Sequence, residues 1–274
     1  VVEKLMTENP KLKFFKWDCN SPITNIYSYY EKQNQGNLYY DFVQGFYKVV
    51  RRIHAQYPEL RMMLCSGGGG RCDYEALKYF TEYWCSDNTD PVERLFIQWG
   101  FSHFMPSKAM CAHVTDWNGR ASMKFRVDVA FSCKLGFDIG FKKVSDEDKQ
   151  YCQNAIKEYN RLKPVIYSPD LYRLVSPYDG EHCVLQRVSE DKSHALVFAY
   201  DIHPRYNENL LPTKLQGLEA NAKYRVKEVS LMPGRQSWLS CNDKVYTGDY
   251  LMNVGIKVLS SNDMVSHIIE ITKE

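Results

Sequence analysis

The chain has 274 residues, 44% apolar and 25% charged, with a formal net charge of +2. That length supplies a real hydrophobic core, and the near-neutral charge argues against nucleic acid or an anionic membrane surface as a partner. No run is long and apolar enough to span a bilayer, and no signal peptide is visible.

The first predicted strand is Leu12 to Trp17, ending at Asp18. Leu38 to Tyr57 follows, with Leu38, Phe42, Phe46, Val49, Val50 and Ile53 spaced as on one face of a helix that Pro58 stops. Arg61 to Cys65 is the next strand, closed by Ser66 and four glycines. A short helix near Tyr74–Phe80 precedes a strand over Thr81 to Cys85. Asp90 suits the N-cap, and Pro91 the first turn, of a helix running to Trp99. Strands are expected at Met110–Val114 and Leu135–Ile139, with a helix between them over 121–133. Ser145 with Asp148 opens a last helix running to about Leu162.

Strands alternating with helices imply βαβ units and a parallel sheet. Polar residues recur just beyond strand ends, where a (β/α)8 barrel builds its active site. Residues 1–165 hold five such units of the eight a closed barrel needs. After Pro164 the helical period fades. Cys183–Val188, Ala195–Tyr200, Tyr224–Val229, Val245–Thr247 and His267–Ile271 read as strands between turns, so residues 166–274 are expected to form an antiparallel, sandwich-like β-domain.

Nine cysteines without a CxxC favour reduced, mostly buried thiols and a reducing compartment. His103, Cys111 and His113 match no standard metal spacing, so no metal is expected. The four glycines lack the Gly-Lys-Ser/Thr ending of a nucleotide loop. Two acids at strand ends stand out. Asp18 lies between Lys16 and Asn20, where a cation could hold a nucleophilic carboxylate ionised; on spacing alone a surface Asp capping the next helix is the preferred reading. Asp87 ends the strand two units later, whereas Asp90 is better read as a cap. A retaining glycosidase needs such a pair about 5 Å apart.

Three segments together are far more specific than any one. Lys16-Trp17-Asp18-Cys19-Asn20, Cys65 to Arg71 with Asp73, and Trp84 to Asp90 with Glu93-Arg94 resemble successive signatures of the α-galactosidases of glycoside hydrolase family 36. Gln98–Pro106, Cys111–Val114, Leu135–Asp138, Asp170–Leu174 and Leu215–Leu218 extend the resemblance over nearly the whole chain. It implies a TIM barrel followed by a β-domain, retention of configuration, an α-galactoside oligosaccharide as substrate, and no cofactor or metal. It makes Asp18 the nucleophile and Asp87 the acid/base. Lys16, Trp17, Asn20, Cys65, Gly67 and Trp84 become galactose-binding residues, while Arg71 and Asp73 support the loop. Cys19, Ser21 and Cys85 depart from frequent Met, Arg and Thr. The resemblance also implies a preceding β-domain and first barrel strands, in the N-terminal part of the same polypeptide, that grip the galactose and are absent from these residues. A galactosyltransferase of the raffinose-synthase type and an inactive or sugar-binding remnant are the rival readings. Compartment and homo-oligomeric state are not legible.

Overall fold

A computed structural model describes residues 1–20, 24–117 and 119–274, which divide into two units, Val1–Asp87 and Asn88–Glu274. Ser21 lies outside the described residues.

The first unit holds α1 (Val2–Glu8), β1 (Phe14–Asp18), α2 (Leu38–Gln56), β2 (Arg61–Cys65) and β3 (Glu82–Trp84). The three strands are parallel in the order β1-β2-β3, with Asp18 opposite Cys65. Met62 to Cys65 are all buried, the continuous apolar run of a central strand covered on both faces. α2 turns Tyr47, Val50 and Ile53 inward, and its Phe46 stacks on Phe80 at 6.1 Å. The helix expected near Tyr74–Phe80 is a single 3-10 turn, Ala76–Lys78. Asp73 caps it by accepting from the Ala76 N–H at 2.8 Å, and the chain must then bury Phe80 and enter β3.

The second unit continues the alternation with α3 (Pro91–Phe101), β4 (Met110–Thr115), α4 (Met123–Phe131), β5 (Lys134–Asp138) and α5 (Asp146–Ile166). β4 and β5 are parallel. Asp90 caps α3, accepting from the Val92 N–H at 2.8 Å and the Glu93 N–H at 3.3 Å. Ser145 caps α5 through the Asp148 N–H at 3.1 Å. α5 runs past the expected Leu162 because Pro164 falls in its final turn, where a missing N–H costs one backbone bond near the helix end.

Then come β6 (Asp170–Val175), β7 (His182–Val188), β8 (His194–Asp201), β9 (Lys223–Glu228), β10 (Lys244–Thr247), α6 (Gly248–Asn253) and β11 (Val265–Lys273). The six strands form an antiparallel sheet in the order β10-β9-β11-β8-β7-β6. β7 is buried throughout, with no inside-outside alternation. Both faces of the sheet are covered. Leu185, Phe198, Tyr200 and Ile268 pack with Phe125, Tyr159 and Leu162 of α4 and α5. Val184, Val197, Ile269 and Ile271 pack with Leu215, Leu218, Leu251 and Val258 on the other side.

Candidate active site at the strand ends

The expected catalytic and galactose-binding residues all fall within Val1–Asp87. Lys16 and Asp18 lie two apart on β1 and therefore share a face. Lys16 Nζ stands 3.6 Å from Asp18 Oδ2, with both side chains 40% exposed. So open an ion pair adds little to stability; its importance is the local field. Trp17 takes the opposite face by the same alternation. Its ring meets Phe46 of α2 edge-on at 6.0 Å and does not join Lys16 and Asp18.

The loop after β2 is held by its own backbone and by the exit of β1. Ser66 N–H donates to Gly68 O at 2.8 Å, Ser66 Oγ to Cys19 O at 2.8 Å, and Cys19 N–H to Cys65 O at 3.0 Å. The Asn20 carboxamide oxygen accepts the Gly67 N–H at 2.5 Å, so Asn20 organises the loop whatever else it does. Gly69 N–H donates to Cys85 O at 3.0 Å. Gly68 explains why this loop tolerates no side chain there. Its φ is +84°, and a Cβ would sit 2.7 Å from the Ser86 Cα. The loop thus lies directly on the segment that carries Asp87.

Trp84 is 8% exposed, and its indole Nε1–H donates to Asp87 Oδ1 at 2.9 Å. Lys16 Nζ stands 5.1 Å from the centroid of the same ring. Burial pushes the Cys65 thiol up; the backbone hydrogen bond from Gly68 and the Lys16 charge oppose this, and the charges of Asp18 and Asp87 add to the rise. One side chain at the end of β2 therefore feels both carboxylates. Lys16, Asp18, Asn20, Cys65, Gly67, Trp84 and Asp87 gather around that strand end; Trp17 faces α2.

Behind the loop, Asp73 is a junction that sequence reasoning described only as support. Tyr47 OH donates to its Oδ2 and Tyr83 OH to its backbone oxygen at 2.8 Å. Burial, then the Asp73 hydrogen bond, raises the Tyr47 hydroxyl well above its ordinary range. Arg71 lies over the Phe42 ring at 5.1 Å. Among the described residues no group of three or more His, Cys, Asp or Glu could hold a metal, and no helix is long and apolar enough to cross a membrane. His113 packs against Gly136, where a Cβ would meet its ring at 2.5 Å.

The family model described as Melibiase matches residues 1–168, and the one described as Glycosyl hydrolase family 36 C-terminal domain matches 182–271. The bifunctional α-galactosidase/sucrose kinase AgaSK of Mediterraneibacter gnavus is 35% identical over 257 residues, covering 92% of this chain and 25% of its own length. The α-galactosidase AgaA of Geobacillus stearothermophilus is 33% identical over 262 residues, covering 93% of this chain and 34% of its own. Among solved structures, α-galactosidase AgaB of Geobacillus stearothermophilus superposes with a TM-score of 0.87 at 31% identity, covering 100% of this chain and 37% of that one. A variant of AgaA in complex with raffinose gives 0.87 at 30% identity, with the same coverage. The chain thus spans about a quarter to a third of the length of these curated relatives. Parallel βα units, a doubly covered antiparallel sheet and both family models agree: the chain belongs to glycoside hydrolase family 36.

Proposed function

We propose that the protein is a retaining α-galactosidase that releases terminal α-galactose from oligosaccharides of the raffinose type. Asp18 is the nucleophile and Asp87 the acid/base. Asp18 attacks the anomeric carbon while Asp87 gives its proton to the glycosidic oxygen, which leaves with the electron pair of the broken bond. Asp87, now ionised, takes a proton from water. That water's oxygen bonds to the anomeric carbon as the ester to Asp18 breaks and returns the carboxylate. Lys16, Asn20, Cys65, Gly67 and Trp84 border the galactose subsite, and Trp17 backs β1 from the α2 side. The observation that carries this reading is geometric: β1 and β3 flank β2, Asp18 lies opposite Cys65, and Lys16 stands 3.6 Å from Asp18 and 5.1 Å from the ring of Trp84, which donates to Asp87. The complexes of AgaA variants with raffinose and with stachyose support the substrate class.

The functional division in this proposal is a portion of the catalytic barrel over residues 1–165 and a β-domain over 166–274. The site is completed by further polypeptide of the same protein, consistent with the 37% coverage of solved relatives and with the exposure of Lys16 and Asp18. The test is Asp18→Asn in the full-length protein, assayed on an aryl α-galactoside and on raffinose with sucrose present. Hydrolysis is expected to vanish with the substitution, and wild-type product to be free galactose. Substantial residual turnover refutes the role of Asp18; galactosyl transfer to sucrose as the main product replaces hydrolysis by transfer.

A further inference from the structure

We propose that Trp84 is a positioning residue for Asp87, and that Lys16 on its ring makes this hydrogen bond respond to the charge on Asp18. The proposal rests on the α-galactosidase reading. Three contacts in Val1–Asp87 form one chain: Asp18 Oδ2 to Lys16 Nζ at 3.6 Å, Lys16 Nζ to the Trp84 ring at 5.1 Å, and Trp84 Nε1 to Asp87 Oδ1 at 2.9 Å.

An indole nitrogen only donates. Oδ1 of Asp87 is therefore always an acceptor, and the acid form carries its proton on Oδ2. The buried ring, 8% exposed, thus selects which oxygen faces the glycosidic bond. Lys16 lies within the roughly 6 Å over which a cation and an aromatic face attract. While Asp18 is a carboxylate, it balances the Lys16 charge. Esterification of Asp18 removes that balance. The ammonium then draws electron density from the indole, strengthens its N–H donor and favours the ionised form of Asp87. That form is the base the second step requires. The relay therefore times the change from acid to base.

The test uses Trp84→Phe in the full-length protein, with melibiose and an aryl α-galactoside bearing an activated leaving group. Melibiose needs proton donation for glycosylation; the activated substrate does not. For melibiose, kcat/KM should fall about 10-fold or more, and for the activated substrate less than about 3-fold. On the activated substrate kcat, limited by deglycosylation, should fall about 10-fold and recover with azide, which needs no base. Lys16 is exposed, so Lys16→Met supplies a second variant that leaves the indole bond in place; it should show the same azide-recoverable fall in kcat. Equal losses on both substrates with no azide recovery in either variant would overturn the relay while leaving the enzyme reading intact. A wild-type protein inactive on both substrates overturns the enzyme reading, and the relay with it.

Discussion

Lys124→Met should be among the most destabilising changes available in residues 88–274. Asp128 on α4 is completely buried, and Lys124 Nζ reaches its Oδ2 at 2.5 Å while only 19% exposed. Ser266 Oγ donates to the same oxygen at 2.7 Å, and Tyr151 OH donates to the other. The Tyr200 hydroxyl donates to the Asp128 backbone oxygen at 2.9 Å. Lys124 also donates to Ser266 O at 2.6 Å and Ser230 Oγ at 3.1 Å. Burial, then the Asp128 charge, drives the Tyr151 hydroxyl far above its ordinary range, so the anion and its donors form one set. Methionine fills the space but strands a buried carboxylate and removes a donor from a buried carbonyl. Breaking a buried pair from one side costs about 3–5 kcal/mol. At about 2–4 °C per kcal/mol for a unit of this size, the melting temperature of the full-length protein should fall by about 6–20 °C. Lys124→Met with Asp128→Asn, which removes the stranded charge, should recover a substantial part of that loss. Calorimetry of the four proteins completes the cycle. A fall below about 1 kcal/mol in the single variant would refute the argument that this ion pair is desolvated.

Gly68→Ala combines a left-handed backbone, φ +84°, with a Cβ 2.7 Å from the Ser86 backbone. A shift of about 1 Å in the neighbouring Asp87 is expected to cost about 100-fold in kcat/KM, measured with circular dichroism unchanged. Gly67→Ala, with open space around its Cβ, should cost only about 1–2 kcal/mol of backbone strain in a denaturant titration. Glu270 is bound in a fork by Arg161 at 2.7 and 2.8 Å and by His194 Nε2 at 2.7 Å. Burial raises its carboxyl, but these partners outweigh burial and hold it at about 2, against an ordinary 4.5. A depressed acid stabilises above its unfolded value and loses that contribution as pH falls through its folded one. Glu270→Gln should therefore melt below wild type at pH 7, and the gap should close between about pH 4.5 and 2. A gap constant over that window contradicts the assignment.

Where sequence reasoning succeeded, a local signal and the tertiary environment agreed. Arg61–Cys65 is a strand in both readings because an apolar run bounded by Pro58 and glycines fits a doubly covered strand. Asp90 and Ser145 cap helices because a side-chain oxygen at that place meets unpaired N–H groups. Trp17, which the resemblance implies is galactose-binding, is turned away from Lys16 and Asp18 by the alternation along β1. β6 and α6 gave weak signals. β6 carries a bulge between Arg173 and Val175, and α6 begins on Gly248, a poor helix former. Asp128 was illegible for a different reason. A charged residue on a helix is ordinarily solvated, and besides Lys124 the groups that bind its carboxylate come from Tyr151 and Ser266, further along the chain.

The proposed pairing of Asp18 with Asp87 follows from strand order more than from sequence distance. β1 and β3 flank β2. Parallel neighbours lie about 4.8 Å apart, so the two flanking backbones are separated by about 10 Å, too far for direct contact and close enough for side chains to converge. A retaining pair needs about 5 Å between carboxyl groups, with room for a sugar above them. That room exists only if the middle strand ends without bulk. Cys65 is a small buried floor, and Gly67 and Gly68 follow it with left-handed φ of +55° and +84° that fold the loop away onto Cys85 and Ser86. A side chain at Gly68 would push on the segment carrying Asp87, whereas one at Gly67 would enter open space beside Asn20. The two glycines therefore do different work. Gly68 sets where the segment carrying Asp87 stands, and Gly67 leaves the space beside Asn20 open.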